Sequence, residues 1–361
     1  MPKPLVSFCT VAMNRLTHVQ QTLAVNLDDN HADGVQFVLL DYTSRDGLDE
    51  YIKANFQTAL ESERLVYYRY PSATTFNRCH SRNMAFRLAK GDVVVNVDAD
   101  NYAGPGFGAY VQSVFQDRAN ICLTGLGNPW TGDAFGKLCT TREDFLKVSG
   151  YDENFEGYGF EDYDIVNRLR LSGCEPYTIN NPSYLRAEPH NMGERVINES
   201  LIREVENVFV HFIDPDKSRV LYLLTDGSFK VATVVNRFTI HSDQPFKPIH
   251  DDSYPNLHFT LEGDWECGAW WLVDQKLRLE TGVSSETLWG RISEGRQTFK
   301  GQRHEYFQVS KALQLDAILF YTQLRNRQLM MDNVAHQRIR VNTVFGGGTV
   351  YKNFQHEPIE L

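Results

Sequence analysis

The first hundred residues alternate short apolar runs of strand length with stretches whose apolar residues recur at helical spacing. The runs at 5–10, 35–40, 65–68 and 93–97 predict buried strands. Helical spacing is clearest after the first run, in Leu16, Val19, Leu23 and Leu27. Repeated strand–helix–strand units build a mostly parallel sheet, because right-handed crossovers place the helices on its faces. The sequence therefore predicts an α/β fold with a mostly parallel central sheet.

The pattern changes after Asp214-Pro215-Asp216, and the chain is predicted to divide there into domains of residues 1–214 and 215–361. Asp226-Gly227 between two apolar runs predicts a hairpin. A further strand pair is predicted at 257–261 and 267–273, and an amphipathic helix at 313–331. This second domain, β-rich and then helical, contains four of the five tryptophans. It is predicted to bind an acceptor or to mediate oligomerisation, the alternative being that the tryptophans only fill a core.

Composition limits the class of protein. The net charge of −10 weakly disfavours nucleic acid as a partner, since binding phosphates requires a surplus of Lys and Arg. No apolar run approaches the ~20 residues that cross a bilayer, and the N-terminus lacks the pattern of a signal peptide. The six scattered cysteines form no C-x-x-C pair, which disfavours a zinc site or a disulfide framework. We expect a cytoplasmic protein, with peripheral membrane contact left open.

Polar residues follow or end three of the predicted strands. Thr10, Asp41 and Asp98 lie at carboxyl ends of strands, where ligands gather in parallel sheets. Asp98-Ala99-Asp100 places two carboxylates one residue apart, an arrangement that can hold a divalent cation beside a diphosphate. The alternative for this pair is a solvated turn.

The sequence before this aspartate pair carries a longer pattern. Ser81-Arg82-Asn83, then Gly91-Asp92, a strand and the Asp-x-Asp, resembles the donor-binding half of family 2 glycosyltransferases, which have the Rossmann-like GT-A fold. The run 10–15 is similar to the turn that begins the nucleotide pocket of that family. Ser81 stands where the family usually has Ala. The resemblance covers about residues 4–211, and it implies donor contacts from Thr10, Asn14, Arg15, Asp41, Arg78, Arg82, Asn83 and Asp98.

A second motif runs from Ser149 to Asp164. It resembles the G-x-D-E-x-F-x-G-x-G-x-E-D segment of the same enzymes, and it is similar to a stretch in β-1,4-galactosyltransferases and polypeptide N-acetylgalactosaminyltransferases. The resemblance implies that Asp162 accepts the proton of an acceptor hydroxyl and that Glu161 orients the substrates. Tyr158, in this segment, and Trp130 are candidates for acceptor binding. The alternative for the two carboxylates is that they only stabilise the start of a helix.

A histidine is expected to complete the cation site. The resemblance implies His190, which would join Asp98 and Asp100 as a ligand of Mn²⁺ or Mg²⁺. An exposed loop histidine is the alternative reading of His190, and His211 is the competing ligand.

These patterns together predict a metal-dependent glycosyltransferase. It would move a hexose or N-acetylhexosamine from a uridine diphosphate (UDP) sugar to a hydroxyl of a glycan or glycolipid, with inversion, in the synthesis of a bacterial surface polysaccharide. A retaining transferase and a non-catalytic glycan-binding protein remain alternatives. A nucleotidyltransferase is disfavoured, because residues 10–15 lack the glycines of its phosphate loop.

Overall fold

The chain forms two compact units. The computed structural model describes residues 3–128, 134–189, 193, 196–199, 203–236, 238–241, 244–248, 259–293 and 295–361. The first unit comprises Met1–Glu199 and Asn326–Leu361, and the second comprises Ser200–Arg325.

The first unit is built on a mixed sheet. Its described strands are β1 (Val6–Ala12), β2 (Val35–Tyr42), β3 (Leu65–Tyr70), β4 (Val93–Asn96), β5 (Asn101–Tyr102), β6 (Ile121–Thr124), β7 (Leu138–Thr141), β8 (Glu175–Thr178), β9 (Arg186–Ala187), β20 (Thr349–Lys352) and β21 (Pro358–Glu360). Nine of them pair in the order β21-β20-β3-β2-β1-β4-β7-β6-β8, and β5 pairs with β9. The four strands from β3 to β4 in this order are parallel. The predicted α/β fold with a mostly parallel sheet is therefore confirmed.

The helices of this unit follow the strands along the chain. They are α1 (Leu16–Asp29), α2 (Leu48–Asn55), α3 (Gln57–Glu61), α4 (Arg78–Leu88), α5 (Phe107–Asp117), α6 (Arg142–Lys147) and α7 (Glu161–Leu171). The start of α4 is fixed by Asn77, whose side chain accepts a hydrogen bond from the backbone of His80 at 2.9 Å. Within the described part of the chain, no helix combines the length and hydropathy needed to cross a membrane.

The central strand β1 explains why this sheet is stable. It lies between β2 and β4, and Val6 and Phe8 are fully buried. The Phe8 ring meets the edge of Phe37 at 5.1 Å between centroids. A near-continuous apolar run is the expected composition of a parallel strand that is covered on both faces.

The end of the chain returns to the first unit. Strand β20 pairs antiparallel with β3 and extends the sheet, and β21 pairs with β20. Just before them, the amide of Asn342 donates to the carbonyls of Ser149 at 2.8 Å and Tyr151 at 2.7 Å. The C-terminal segment therefore hydrogen-bonds the loop that leads to α7 and stabilises it.

The second unit contains a closed sheet of eight antiparallel strands. Its described strands are β10 (Val205–Asp214), β11 (Lys217–Leu224), β12 (Ser228–Asn236), β13 (Phe238–His241), β14 (Gln244–Pro248), β15 (Phe259–Val273), β16 (Lys276–Glu280), β17 (Ser285–Ser293), β18 (Arg296–Lys300) and β19 (Glu305–Gln308), followed by helix α8 (Lys311–Ala335). The closed sheet has the order β10-β11-β12-β15-β16-β17-β18-β19, and β19 pairs back with β10. Strands β13 and β14 pair with each other. The boundary between the units at Arg325 and Asn326 falls within α8.

Two predictions for this region differ from the structure. The strand pair predicted at 257–261 and 267–273 is wrong, because a single strand, β15, runs from Phe259 to Val273 with a register shift against β12. The compact units divide at 199/200 rather than at the predicted 214/215, since β10 pairs with β11 and β19. The same division places residues 326–361 in the first unit. The role predicted for the C-terminal domain stays a prediction.

Candidate active site

A cleft opens where β1 and β4 end. Its volume is about 100 Å³, and it is lined by Val11, Met13, Arg15, His18, Phe76, Arg78, Arg82, Asp98, Ala99, Asp100, Tyr158 and Asn198. Six of the residues singled out in the sequence are therefore brought together: Arg15, Arg78, Arg82, Asp98, Asp100 and Tyr158. The cleft lies where a parallel sheet is expected to bind ligands.

One buried arginine joins the two sequence motifs. Arg82, only 2% exposed, donates from Nη2 to Asp98 Oδ1 and from Nη1 to Asp162 Oδ1, both at 2.9 Å. Asp98 follows β4, whereas Asp162 lies in the first turn of α7, 64 positions further along the chain. The guanidinium fork suits two carboxylates on neighbouring elements. Arg82 is thus placed to position both acids at one side of the cleft.

The two carboxylates that share Arg82 have opposite pKa shifts. Burial opposes ionisation of Asp98, but Arg82 and the amide of Asn96 hold its pKa below the usual range. For Asp162, burial prevails over Arg82, and the negative charges of Glu161 and Asp98 add to it, which raises the pKa to about 7. Near neutral pH the pair therefore combines an ionised acid with one that can accept a proton.

A glycine keeps space between these acids. A Cβ on Gly136 would stand 2.8 Å from Arg82 Nη2, 2.9 Å from Asp98 Oδ2 and 3.3 Å from Asp162 Oδ2. Asp98 Oδ2 and Asp162 Oδ2 thus face the same small space, which a larger residue at position 136 would fill.

A second arginine closes another side of the cleft. Arg78, the first residue of α4, forms ion pairs with Glu199 Oε1 at 2.6 Å and Glu161 Oε1 at 3.2 Å. Its guanidinium lies 5.0 Å from the centre of the Tyr158 ring, a cation–π arrangement. Burial lowers the pKa of Arg78, but Glu199 and Glu161 outweigh it and raise the pKa above its usual value. Glu199 and Glu161 therefore hold Arg78 in place beside the Tyr158 ring.

Other residues singled out in the sequence support the fold around the cleft. Asp41 is fully buried and accepts hydrogen bonds from Ser44 N and Tyr67 Oη, each at 2.7 Å. Asn83 is also buried; its Nδ2 donates a hydrogen bond to Tyr151 O, and its Oδ1 accepts one from Tyr151 N.

Two more of these residues belong to β1 and the turn that follows it. Thr10 pairs with Leu39 within the sheet, and Asn14 hydrogen-bonds Asn198 and the backbone of Arg45. The described residues that line the cleft do not include Thr10, Asn14, Asp41 or Asn83. Their predicted contacts with the nucleotide stay predictions.

The donor set at the cleft fits a hard divalent cation. Asp98 and Asp100 both line it, their oxygens are ligands that Mn²⁺ and Mg²⁺ prefer, and the space beside Gly136 receives Asp98 Oδ2. A diphosphate and water would supply the remaining ligands. In the described ranges no group of three or more His, Cys, Asp or Glu residues could hold a metal ion. His190 and Trp130 lie outside the described residues, and His211 lies in β10 of the second unit, where its Nδ1 meets the backbone of Glu305.

Several cleft residues carry no sequence motif. His18 is in the first turn of α1, directly after the β1 end, a position that could have been recognised from the predicted strand and helix. Asn198 reaches the cleft through long-range bonds, donating from Nδ2 to Met13 O at 2.9 Å. Lys137 does not line the cleft but is buried near Asp98 and Asp100; it donates to the carbonyl of Tyr102, and burial lowers its pKa to about 8. No local sequence pattern predicted that Asn198 or Lys137 would lie near the site.

Family models match the two halves of the site. Residues 7–137 match the model for glycosyl transferase family 2, and residues 126–193 match that for the N-terminal domain of galactosyltransferase. Residues 7–137 are therefore similar to the family 2 glycosyltransferase domain. The predicted family resemblance is confirmed, and both matched models describe glycosyltransferases, the predicted enzyme class. The first match contains the Asp-x-Asp pair and the second contains Glu161 and Asp162.

Curated relatives match a short part of this chain. Chondroitin sulfate synthase 3 of Homo sapiens and that of Mus musculus are each 35% identical to it over 48 residues. The match covers 13% of this chain and only 5% of the length of either synthase.

Solved structures match this chain at low sequence identity. A mannosyltransferase of Pyrobaculum calidifontis, in complex with GDP-Man and Mn²⁺, is 17% identical with a TM-score of 0.44, over 53% of this chain and 59% of that one. S. aureus TarS in complex with UDP-GlcNAc is 12% identical with a TM-score of 0.42, over 52% of this chain and 59% of that one.

Proposed function

We propose that the protein is a metal-dependent transferase that moves a hexose or N-acetylhexosamine from a UDP-sugar to a hydroxyl of a glycan, with inversion. The observation that carries the proposal is the bridge that Arg82 forms between Asp98 and Asp162 at the cleft. It places a carboxylate suited to the donor side next to one suited to accept a proton. The family 2 match over residues 7–137 supports the donor as a nucleotide sugar.

Asp162 is the proposed base. With a pKa raised to about 7, it accepts the proton of the acceptor hydroxyl as the oxygen attacks the anomeric carbon. Arg82 holds the carboxylate through Oδ1, so Oδ2 is directed to the space beside Gly136. A base on the face opposite the leaving group produces inversion.

The leaving group is a diphosphate, whose charge must be offset. Asp98 and Asp100 would hold Mn²⁺ or Mg²⁺, which neutralises the departing nucleoside diphosphate. Arg78, Arg15 and His18 also line the cleft and are placed to contact anionic oxygens. His190 is proposed as the third protein ligand of the cation, and Trp130 and Tyr158 as contacts of the acceptor.

The biological setting is proposed to be synthesis of a bacterial surface polysaccharide in the cytoplasm, on a glycan or glycolipid acceptor. The short match to chondroitin sulfate synthase 3 supports a polysaccharide product.

A donor screen tests this function. The protein is incubated with UDP-galactose, UDP-glucose and their N-acetylated forms in Mn²⁺ or in chelator, and release of UDP is measured. We expect release with at least one donor and none in chelator, with the product configuration read by NMR. No release from any donor, together with tight glycan binding, would favour a non-catalytic binding protein, and retained configuration would contradict inversion.

A further inference from the structure

The second unit contains a larger cavity than the cleft of the first unit. It has a volume of about 750 Å³, opens to solvent, and is lined by strands of the closed sheet and the turns between them. Phe229, Val231 and Leu279 line it and also belong to the buried apolar cluster of the closed sheet. The cavity therefore has an apolar side.

Its other side is polar, and it carries two cations, Arg219 and Arg303, and two carboxylates, Glu266 and Glu286. Arg219 donates to Glu266 Oε2 at 2.7 Å and to the Tyr306 hydroxyl at 3.1 Å. His304 Nδ1 meets Glu286 Oε2 at 2.8 Å. Glu286 Oε1 is buried and, within the described part of the chain, forms no hydrogen bond. The wall thus offers fixed donors and acceptors without a strong excess of one charge.

This combination selects a class of ligand. A sugar ring presents an apolar face of C–H groups and a rim of hydroxyls that both donate and accept. A phosphate or carboxylate would need an excess of cations, whereas here two arginines are balanced by two glutamates. Trp289, which lines the cavity and is 53% exposed, adds an amphipathic aromatic surface. Binding pockets of this size typically join apolar walls to a few placed polar groups.

We infer that this cavity binds the sugar rings of a neutral glycan. That the bound glycan is the acceptor of the transfer reaction rests on the proposed function, whereas the binding itself does not. Glu266 and Glu286 accept hydroxyl hydrogen bonds, and Arg219 and His304 orient them.

The chain supplies a matched control for the test. Glu262 lies on β15 with Glu266, and it pairs with Lys217 on β11 much as Glu266 pairs with Arg219. It is 56% exposed and is not among the described residues that line the cavity. Glu262→Gln therefore removes a similar ion pair without touching the site.

The experiment is calorimetry of the full chain with tetrasaccharides of N-acetylglucosamine, glucose and galactose, without nucleotide or metal. We expect binding of at least one of them, weakened about 10-fold or more by Glu266→Gln and by Glu286→Gln, because each loses a charged acceptor. Glu262→Gln should bind as the wild type does. A circular dichroism melt of each variant shows that it is folded.

Absence of binding to all three tetrasaccharides overturns the inference, as does equal binding by Glu266→Gln, Glu286→Gln and the wild type. Tighter binding of an anionic tetrasaccharide than of any neutral one overturns the ligand class. UDP binding is measured on the same samples, so loss of the first unit's function is seen separately.

Discussion

At the scale of single residues, Arg82 hydrogen-bonds two carboxylates, Asp98 and Asp162, whose pKa values shift in opposite directions. Asp98 stays ionised because it also accepts from Asn96, whereas Asp162 lies among negative charges at the start of α7. Sequence motifs indicated all three residues but not the bridge between them. That bridge joins side chains from α4, from the residues after β4 and from the start of α7, and no local pattern encodes how these elements meet.

Asp162→Asn tests the base. The amide keeps the size and one oxygen for Arg82 but cannot accept a proton, so turnover should fall about 10²-fold to 10⁴-fold while UDP affinity stays within a few-fold. Steady-state kinetics and calorimetry measure the two quantities. Turnover close to that of the wild type would remove Asp162 from this role.

The pH dependence follows from the same group. A base must be ionised, and burial raises the pKa of Asp162 to about 7, so kcat/KM should rise with pH through this region and level off above it. Asp162→Asn should lose this acid limb in its residual activity. A wild-type profile that is flat between about pH 5 and 8 would contradict the assignment.

Gly136→Ala tests the space between the acids. The added methyl would press on Arg82, Asp98 and Asp162, so we expect a folded protein with at least about 10-fold lower kcat/KM. Gly282→Ala is the control, since a Cβ there meets nothing within 4 Å. Equal activities of the two variants would show that the space is not needed.

At the scale of elements, strands and helices with strong local patterns were predicted well. The hairpin at Asp226-Gly227 joins β11 to β12, and the helix predicted at 313–331 lies within α8. The failure at β15 has a local cause: Gly263, with φ of +83°, interrupts the pattern of a strand that nevertheless continues. The order of strands in the sheet depends on long-range pairing, so it could not be predicted from local sequence patterns.

The C-terminal segment makes an element-scale prediction. Asn342→Ala removes three side-chain hydrogen bonds to the loop at 149–153, which costs about 1–3 kcal/mol of local stability. Hydrogen exchange of peptides covering this loop should accelerate accordingly. Asn55→Ala, which removes one exposed bond on α2, is the control. Unchanged exchange in Asn342→Ala would mean that the segment does not hold the loop.

At the scale of the whole molecule, the chain returns to its first unit after forming the second. The composition change near 214 predicted a separate C-terminal region, but nothing in the sequence indicated that 349–352 pairs with β3. An edge strand can accept a partner from any part of a chain, so such pairing escapes local patterns. The first unit thus includes the region that matches the family 2 model and the C-terminal strands that extend its sheet.

The central claim concerns this first unit as a cation-dependent nucleotide site. It is tested most directly by calorimetry of UDP binding with and without Mn²⁺, in the wild type, in Asp100→Ala and in the exposed control Asp28→Ala. The account predicts at least about 10-fold tighter binding with Mn²⁺ in the wild type and in Asp28→Ala, and no gain in Asp100→Ala. Equal UDP affinity of the wild type with and without Mn²⁺ would contradict it and would leave Arg78 and Arg15 to hold the phosphates.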